Sequence, residues 1–463
     1  MLRIFSRYIP ISTLLFWGVE AGLILSVVWA ANRWHFSAAG DGVVAIDPAF
    51  LNILWVVPLC QLSLYFHDLY VGGQSQSTWN SCLRIFQSIA LAALVVLAHC
   101  IFFPHQRFGL GMVVALASLP FTLIVLRAGY TKLVTNPAFG QRLLLVGESR
   151  LIADLVSALN ARPDCGYTIA ARLSEIPSSE LTGPQSVGQR GHDATLDRVV
   201  DRYGITRVVV ALGDSRGKLP VNDLLRCRFA GIKIDHGLSF FERLTGKVHV
   251  DSLKPSWLIF SEGFNRHRFG ALAKRGLDVV GSLVGLAVSA PVMVLVALAI
   301  RLDSPGPIFY RQERVGAGGK RFTLVKFRSM RADAESLTGP VWAKRRDDRV
   351  TRVGAWLREF RLDELPQLLN VLRGEMSFVG PRPERPMFVE ELEAQIPYYG
   401  FRHTVKPGLT GWAQVRYRYG GSVGDTVEKL QYDLYYIKNT SFLLDATILF
   451  ETIKIVLLRR GAR

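Results

Sequence analysis

Long apolar runs separated by short polar breaks occupy the first part of the chain, at residues 12–31, 50–66, 85–103 and 110–126. A helix rises about 1.5 Å per residue, so roughly 20 apolar residues cross a hydrocarbon core of about 30 Å. Each run comes near that length, and four transmembrane helices forming an N-terminal bundle are expected within residues 1–135. A cleaved leader would start in a similar way, but the first run is long and more follow, so a retained first helix is expected. Arg3, Arg7, Arg84, Arg127, Lys132 and Arg142 all fall on one side if the N-terminus is cytoplasmic, while the opposite connections carry only Arg33 and Arg107. Retention of Lys and Arg on the cytoplasmic side then sets the orientation.

From Arg142 the period changes. Residues 143–146 and 207–212 have the pattern of short buried strands, with helical patterns at 151–159, 196–203 and 224–230, and a further strand at 232–234. Such alternation predicts a parallel sheet with crossover helices, a Rossmann-like cytoplasmic domain over residues 141–255. A dinucleotide site there needs several glycines so that backbone amides can approach a pyrophosphate. The turn instead reads Val146-Gly147-Glu148-Ser149-Arg150, with one glycine and a glutamate where the anion would sit. The domain is therefore expected to be degenerate, without bound nucleotide, and a membrane-anchored nucleotide-sugar dehydratase becomes a weak reading.

A fifth apolar run covers residues 276–300. Lys274 and Arg275 precede it and Arg301, Arg311 and Arg314 follow, a charge distribution that conflicts with a simple crossing. Pro291 lies in its middle, where it removes a backbone donor, and Ser289 offers a hydroxyl to freed backbone groups. The expected element is a re-entrant membrane helix that breaks at Ser289-Ala290-Pro291 and returns to the cytoplasmic face; an ordinary fifth span is the alternative.

Composition agrees with this segregation. The 463 residues are enough for about three folding units. They are 49% hydrophobic yet carry a net charge of +17, with mean hydropathy +0.23 and pI near 9.9. Basic charge alone would also suit a nucleic-acid binder, but several long apolar runs argue against nucleic acid as a partner. The five cysteines, Cys60, Cys82, Cys100, Cys165 and Cys227, form no CxxC pair and suggest neither a zinc site nor a disulfide framework.

Chemistry is concentrated after Arg301. Leu302-Asp303-Ser304-Pro305-Gly306-Pro307, Tyr310-Arg311-Gln312-Glu313-Arg314-Val315-Gly316 and Lys326-Phe327-Arg328-Ser329-Met330 bring arginines and lysines into an apparent anion site. Lys326 and Arg328 are two apart and predicted on one strand face. The central segment runs from Arg358 through Arg361-Leu362-Asp363-Glu364-Leu365-Pro366-Gln367 to Asn370. A carboxylate can attack phosphorus, and an adjacent one can hold Mg²⁺, which prefers hard oxygen ligands. Asp363 and Glu364 are the candidates, with Glu364 as the metal ligand. Two further turns, Ser377-Phe378-Val379-Gly380-Pro381-Arg382-Pro383 and Lys406-Pro407-Gly408-Leu409-Thr410-Gly411-Trp412, are rich in proline and glycine, as ligand loops often are. Each taken separately reads as a structural turn.

These motifs together resemble the bacterial sugar transferases, the polyprenyl-phosphate hexose-1-phosphate transferases that begin exopolysaccharide, capsule and O-antigen synthesis. The resemblance covers residues 270–463, and the whole chain is similar to their large form, with four membrane helices and a degenerate nucleotide-binding-like domain before a mostly helical α/β catalytic domain. It implies that Asp363 attacks a UDP-sugar, UMP leaves, and undecaprenyl phosphate takes up the phosphosugar. Glu364 would bind Mg²⁺; Lys326, Arg328, Arg358 and Arg382 would hold phosphates; Pro381 and Pro383 would shape a uridine pocket. Asp433 and Asp445 match family carboxylates of less certain role. The family breaks its re-entrant helix at a Ser-Pro pair, whereas Ala290 here separates Ser289 from Pro291. An inner-membrane enzyme with a cytoplasmic catalytic domain is implied, with the lipid bilayer and polysaccharide assembly proteins as partners and a homodimer reasonable. The sugar stays open among glucose, galactose and an N-acetylhexosamine. Two other classes remain: a UDP-sugar glycosyltransferase using Asp347-Asp348, although this pair lacks the intervening residue of a DxD motif, and a non-catalytic assembly scaffold.

Overall fold

The computed structural model describes residues 2–4, 7–9, 11–38, 54–70, 78–103, 110–134, 136, 140–147, 149–174, 186–188, 196–212, 220–264, 268–331, 334, 347–417 and 422–458. Residues 50–53 of the second apolar run, Arg107, Glu148, Arg345, Arg346 and the terminal arginines lie outside them. The chain forms two compact units that meet in sequence between Phe240 and Phe241.

The first unit opens with four apolar helices: α1 (Ile11–Ala38), α2 (Val56–Phe66), α3 (Thr78–Phe102) and α4 (Leu110–Val134). Ile24, Cys60, Ile89 and Leu119 pack in their shared core, while Leu15, Leu94, Val113 and Val125 point outward. Three of the four have a segment long and apolar enough to cross a bilayer. The second run is described only from Leu54 onward, and α2 within it has 11 residues, a rise of about 16 Å. Its apolar run ends at His67 and at Asp68, whose positive φ of 62° turns the backbone away from the helix.

Glu20, fully buried on α1, ties this bundle together. Arg127 of α4 donates to it from Nε (3.0 Å) and Nη2 (2.7 Å), and Tyr70, beyond α2, donates to its other oxygen. Arg127 also donates to the Leu69 carbonyl at 2.8 Å. Every charged atom is thereby provided with a partner where water is scarce.

A five-stranded parallel sheet follows, made of β1 (Gln141–Val146), β2 (Tyr167–Ser174), β3 (Ser186–Gly188), β4 (Arg207–Val210) and β5 (Lys233–His236) in the order β3-β2-β1-β4-β5. Helices α5 (Arg150–Asn160), α6 (Leu196–Tyr203) and α7 (Val221–Phe229) alternate with the strands. Strand order reverses at β1, and ligands of open parallel sheets bind in the crevice at such a point. At this point the backbones that follow β1 and β4 come close together. Gly147, at φ +119°, lies so near β4 that a Cβ would stand 2.6 Å from the Ala211 carbonyl oxygen, and Ser149 Oγ donates to that oxygen at 2.9 Å.

The second unit starts earlier than the sequence indicates. Val248, Val250 and Leu253 belong to its core with Tyr399, Trp412 and Tyr435, so residues 241–255 pack with the C-terminal part. Helices α8 (Gly237–Thr245) and α9 (Pro255–Phe260) lead into α10 (Arg268–Asp303). This helix has 36 residues and continues through Pro291, a length of about 54 Å. The expected break at Ser289-Ala290-Pro291 is therefore not an interruption of the helix. Ser289 Oγ donates to the Gly285 carbonyl (2.6 Å), whereas the carbonyl that Pro291 deprives of its donor is that of Ala287, four residues before it.

Both ends of α10 are fastened to the same unit. At its N-terminal end Lys274 pairs with Asp445, and Arg275 donates to the Val371 and Leu372 carbonyls at 2.7 Å each. Toward its C-terminal end Val296 and Ile300 pack with Phe327 and Leu357, and Asp303 accepts from the Val353 amide at 3.2 Å. Between them Val288 and Val294 are 74% and 69% exposed.

The rest of the unit comprises the antiparallel pair β6 (Phe309–Val315) and β7 (Arg321–Phe327), α11 (Arg352–Glu359), α12 (Leu368–Arg373), β8 (Ser377–Val379), α13 (Pro386–Gln395), β9 (Gly408–Thr410), α14 (Trp412–Arg416), α15 (Val423–Lys438) and α16 (Phe442–Leu457). Thr351 caps α11 by accepting from Gly354 N, and a Ser422–Asp425 capping box starts α15. On α16, Leu444 and Ile448 are in the core while Phe442, Ile453 and Leu457 face out, so it is a core helix with an apolar outer face.

Glu20→Ala should strand Arg127 as a buried unpaired cation and destabilise the bundle by about 3 kcal/mol or more. Glu20→Ala combined with Arg127→Leu should recover much of that loss, as measured by thermal unfolding of the purified chain in detergent.

Candidate active site

Asp363 and Glu364 sit on a tight 3₁₀ turn, Leu362–Gln367. The chain reaches it from α11 through Arg361, a non-glycine residue at φ 53°, ψ 25°. That left-handed conformation is costly and is kept only where the surroundings determine it. Its effect is to reverse the chain, so that Asp363 faces inward and is 9% exposed.

Burial is the largest influence on Asp363 and raises its carboxyl, with the neighbouring Glu364 charge adding to it; Lys326, Arg358 and Arg382 act in the opposite direction, and the result is about 6. Burial also works to raise Glu364, but Arg382, with Arg361 and Lys326, outweighs it and holds that carboxyl below its ordinary value. Arg382 Nη2 donates to Glu364 Oε1 at 2.8 Å. The Arg382 side chain is 47% exposed and Glu364 15%, so solvent screens this pair while Asp363 stays largely dry. Two adjacent carboxylates thus differ in character: one charged and paired, the other poised near neutrality.

The three cations arrive from separate elements. Lys326 lies on β7, its ammonium over the Tyr310 ring of β6 at 5.1 Å. Arg358 lies in the last turn of α11 and donates from Nε to Ser329 Oγ at 3.1 Å. Arg382 comes from the turn after β8. That turn and the one carrying Gly408 form a single structure, because β8 and β9 pair in parallel with Ser377 opposite Gly408 and Val379 opposite Thr410. Gly380 N donates to Thr410 O and Gly408 N to Pro381 O, both at 2.9 Å. Their backbones touch so closely that a Cβ on Gly408 would meet Gly380 N at 2.1 Å. Pro383 accepts from Arg314 Nη1 at 2.9 Å, which fastens the far side of the turn to β6.

Arg328 departs from the sequence reading. It lies just beyond β7, is buried, and donates to the carbonyls of Ser304 (2.7 Å) and Pro305 (2.9 Å) and to Ser304 Oγ (2.9 Å). Its guanidinium terminates α10 and is not turned to the carboxylate pair, because strand alternation ends at Phe327. Asp433 and Asp445 likewise hold cations of their own. Asp433 accepts from Arg402 Nη2 at 3.1 Å, and that same nitrogen donates to the Arg382 carbonyl at 2.9 Å. Burial raises Asp433 to about 6. Asp445 pairs with Lys274 and lies 2.8 Å from the Tyr436 hydroxyl. Asp347 is held by Arg349 at 2.6 Å, which depresses its carboxyl and leaves little freedom for a metal.

Arg402 and Asp278 are absent from the sequence reading, while Arg314, named there within the Tyr310–Gly316 motif, holds the Pro383 carbonyl. Arg402 lies in no motif. Asp278 did carry a signal, as a carboxylate entering an apolar run where charge is expensive unless satisfied. Among the described residues no group of three or more His, Cys, Asp or Glu side chains could hold a metal. Asp363 and the Glu364 oxygen that Arg382 does not take offer two hard donors, which suits Mg²⁺ when substrate phosphate and water complete its shell.

Residues 269–459 match the family model described as bacterial sugar transferase. The chain is 43% identical over 240 residues to the UDP-N-acetylgalactosamine-undecaprenyl-phosphate N-acetylgalactosaminephosphotransferase of Aeromonas hydrophila, covering 52% of this chain and 56% of that one. It is 42% identical over 196 residues to the UDP-glucose:undecaprenyl-phosphate glucose-1-phosphate transferase of Xanthomonas campestris pv. campestris, with 41% and 40% covered. Identity is 44% over 192 residues with the exopolysaccharide production protein PSS of Rhizobium leguminosarum bv. phaseoli, covering 39% of this chain and 92% of that protein. The match thus spans about half the length or less of the two larger relatives and nearly all of the smallest.

Burial holds the Lys326 ammonium down at about 8, against the charge of Asp363, which raises it. Amine modification of Lys326, followed by mass spectrometry, should therefore show a pH midpoint near that value. In Asp363→Asn the supporting charge is gone, so the midpoint should move lower; an unchanged or higher midpoint would contradict this electrostatic account.

Proposed function

Because the chain belongs to the bacterial sugar transferase family, we propose that it transfers a hexose 1-phosphate from a UDP-sugar to undecaprenyl phosphate, with UMP as the leaving product. The observation that carries this reading is the buried Asp363 among Lys326, Arg358 and Arg382. A nucleophilic carboxylate must be poorly solvated yet able to ionise, and an anionic donor must be drawn to it; these neighbours meet both demands.

In the proposed reaction an Asp363 oxygen forms a bond to the β-phosphorus of the donor. The bond from that phosphorus to the bridging oxygen breaks, and UMP leaves with the electron pair. The phosphosugar is then held as an acyl phosphate. An oxygen of undecaprenyl phosphate attacks the same phosphorus, releasing the Asp363 carboxylate and forming the lipid diphosphate sugar. Lys326, Arg358 and Arg382 offset charge on the non-bridging oxygens, where positioning and electrostatics supply most of the catalysis. Arg402 keeps the Arg382 backbone in place, and Pro381 and Pro383 stiffen the turn beside a uridine. A Mg²⁺ ion held by Glu364, with Asp363 adjacent, would neutralise further phosphate charge when bound.

The same reading puts this unit on the cytoplasmic face of a bacterial inner membrane. A helix fastened at Lys274, Arg275 and Asp303 to one unit, with an apolar outer face between, suits a segment that stays helical but bends at Pro291, dipping into one face of the bilayer with both ends on the same side. Nucleotide sugars are cytosolic, and the carboxylate pair then lies near the depth of a lipid phosphate. The parallel sheet of the first unit acts in this reading as a Rossmann-like module that binds no nucleotide.

Asp363→Asn should lower UMP release from UDP-sugars by roughly a thousandfold or more, as loss of a covalent nucleophile does, and should end labelling of the protein by donor carrying a labelled phosphate. Release of UDP, or undiminished turnover by the variant, would defeat the proposal. Single cysteines at Glu262 and Lys320, on either side of α10, should both be modified from the cytoplasmic side; reaction of one only from the periplasm would mean that the helix crosses.

A further inference from the structure

The strand that delivers Arg382 is held by the membrane helix. Asp278 is 5% exposed at the start of the apolar part of α10. Its Oδ1 accepts from Ser377 Oγ at 3.1 Å and from Phe378 N at 3.0 Å, the first two residues of β8. A carboxylate beside lipid is expensive unless donors hold it, and here the donors belong to the strand that leads to the candidate active site. Three residues along the helix, Gly281 lets β8 approach: a Cβ there would stand 2.8 Å from the Phe378 ring.

There is little slack between this contact and the carboxylate pair. Phe378 and Arg382 are four residues apart, and the backbone between them is held at Gly380 N and Pro381 O. The Tyr436 hydroxyl lies 3.1 Å from Val379 O and 2.8 Å from Asp445 Oδ1, and Asp445 pairs with Lys274 of α10. The helix therefore grips β8 directly through Asp278 and indirectly through Lys274.

We propose that Asp278 is a positioning residue that couples the membrane helix to the donor site. By holding Ser377 and Phe378 it sets the register of β8 and so the place of the Arg382 guanidinium against Glu364 and the transferring phosphate. Its kinetic consequence rests on the proposed function; the structural coupling does not.

The test uses the full chain reconstituted in membranes. Asp278→Ala removes the acceptor, whereas Asp278→Asn keeps an oxygen that accepts both hydrogen bonds. Hydrogen exchange across residues 377–382 should accelerate roughly five- to tenfold in the alanine variant, the effect of a lost buried hydrogen bond, and stay near wild type in the asparagine variant. The kcat for UMP release should fall about tenfold to a hundredfold in Asp278→Ala with KM for the UDP-sugar within about twofold, as expected for a displaced catalytic cation. Asp278→Asn should remain within about threefold. Ser377→Ala, which removes one donor and leaves the helix untouched, should give an intermediate loss and serves if the alanine variant at 278 does not accumulate. Unaltered exchange in Asp278→Ala, or asparagine as damaging as alanine, overturns the coupling. A wild-type chain that releases no UMP overturns the reaction instead, and the exchange result still decides the coupling.

Discussion

A carboxylate taken out of water loses its charge unless positive groups oppose the burial, and loses its freedom to react if one of them binds it permanently. Asp363 stands between these limits. Burial and the Glu364 charge raise it, and three cations hold the rise to about 6, while the direct hydrogen bond from Arg382 goes to Glu364. The cations act on Asp363 chiefly through the field, which leaves its oxygens available. The Arg361 reversal, the lysine on β7, the end of α11 and the turn after β8 are all needed to maintain that balance.

Two loops with no evident relation in sequence become one support. The turn with Arg382 and the turn with Gly408 pair in parallel and touch backbone to backbone, which leaves no room for a side chain on Gly408. Arg402 and Asp433 close the arrangement from behind. A buried ion pair of that kind adds little net stability over an apolar pair of similar volume, but it fixes where the Arg382 carbonyl stands. The carboxylate of uncertain role in the sequence thus has a physical task as the partner of Arg402.

The long helix has the composition of a membrane span and the attachments of a domain element. Its polar residues near the ends, Lys274, Arg275, Asp278 and Asp303, all make contacts within the C-terminal unit, while the residues between them present an apolar surface. One element can therefore face lipid and still bear on the geometry of the strand leading to Arg382.

Apolar periodicity by itself determined that the chain has an N-terminal helical bundle, a parallel sheet and a later apolar segment long enough for a membrane helix, because burial and bilayer thickness act on local patterns. The Asp363-Glu364 pair and its arginines were legible for the same reason: their motifs are contiguous. Only the tertiary structure decided that α10 continues through Pro291 and that residues 241–255 pack with the C-terminal unit. It alone assigned Arg328 to the carbonyls ending α10 and brought Arg402 and Asp278 into the support of the site. Those outcomes depend on which donor meets which acceptor across 20 to 100 residues of chain, and hydrogen-bond partnership at such separations leaves no period in the sequence.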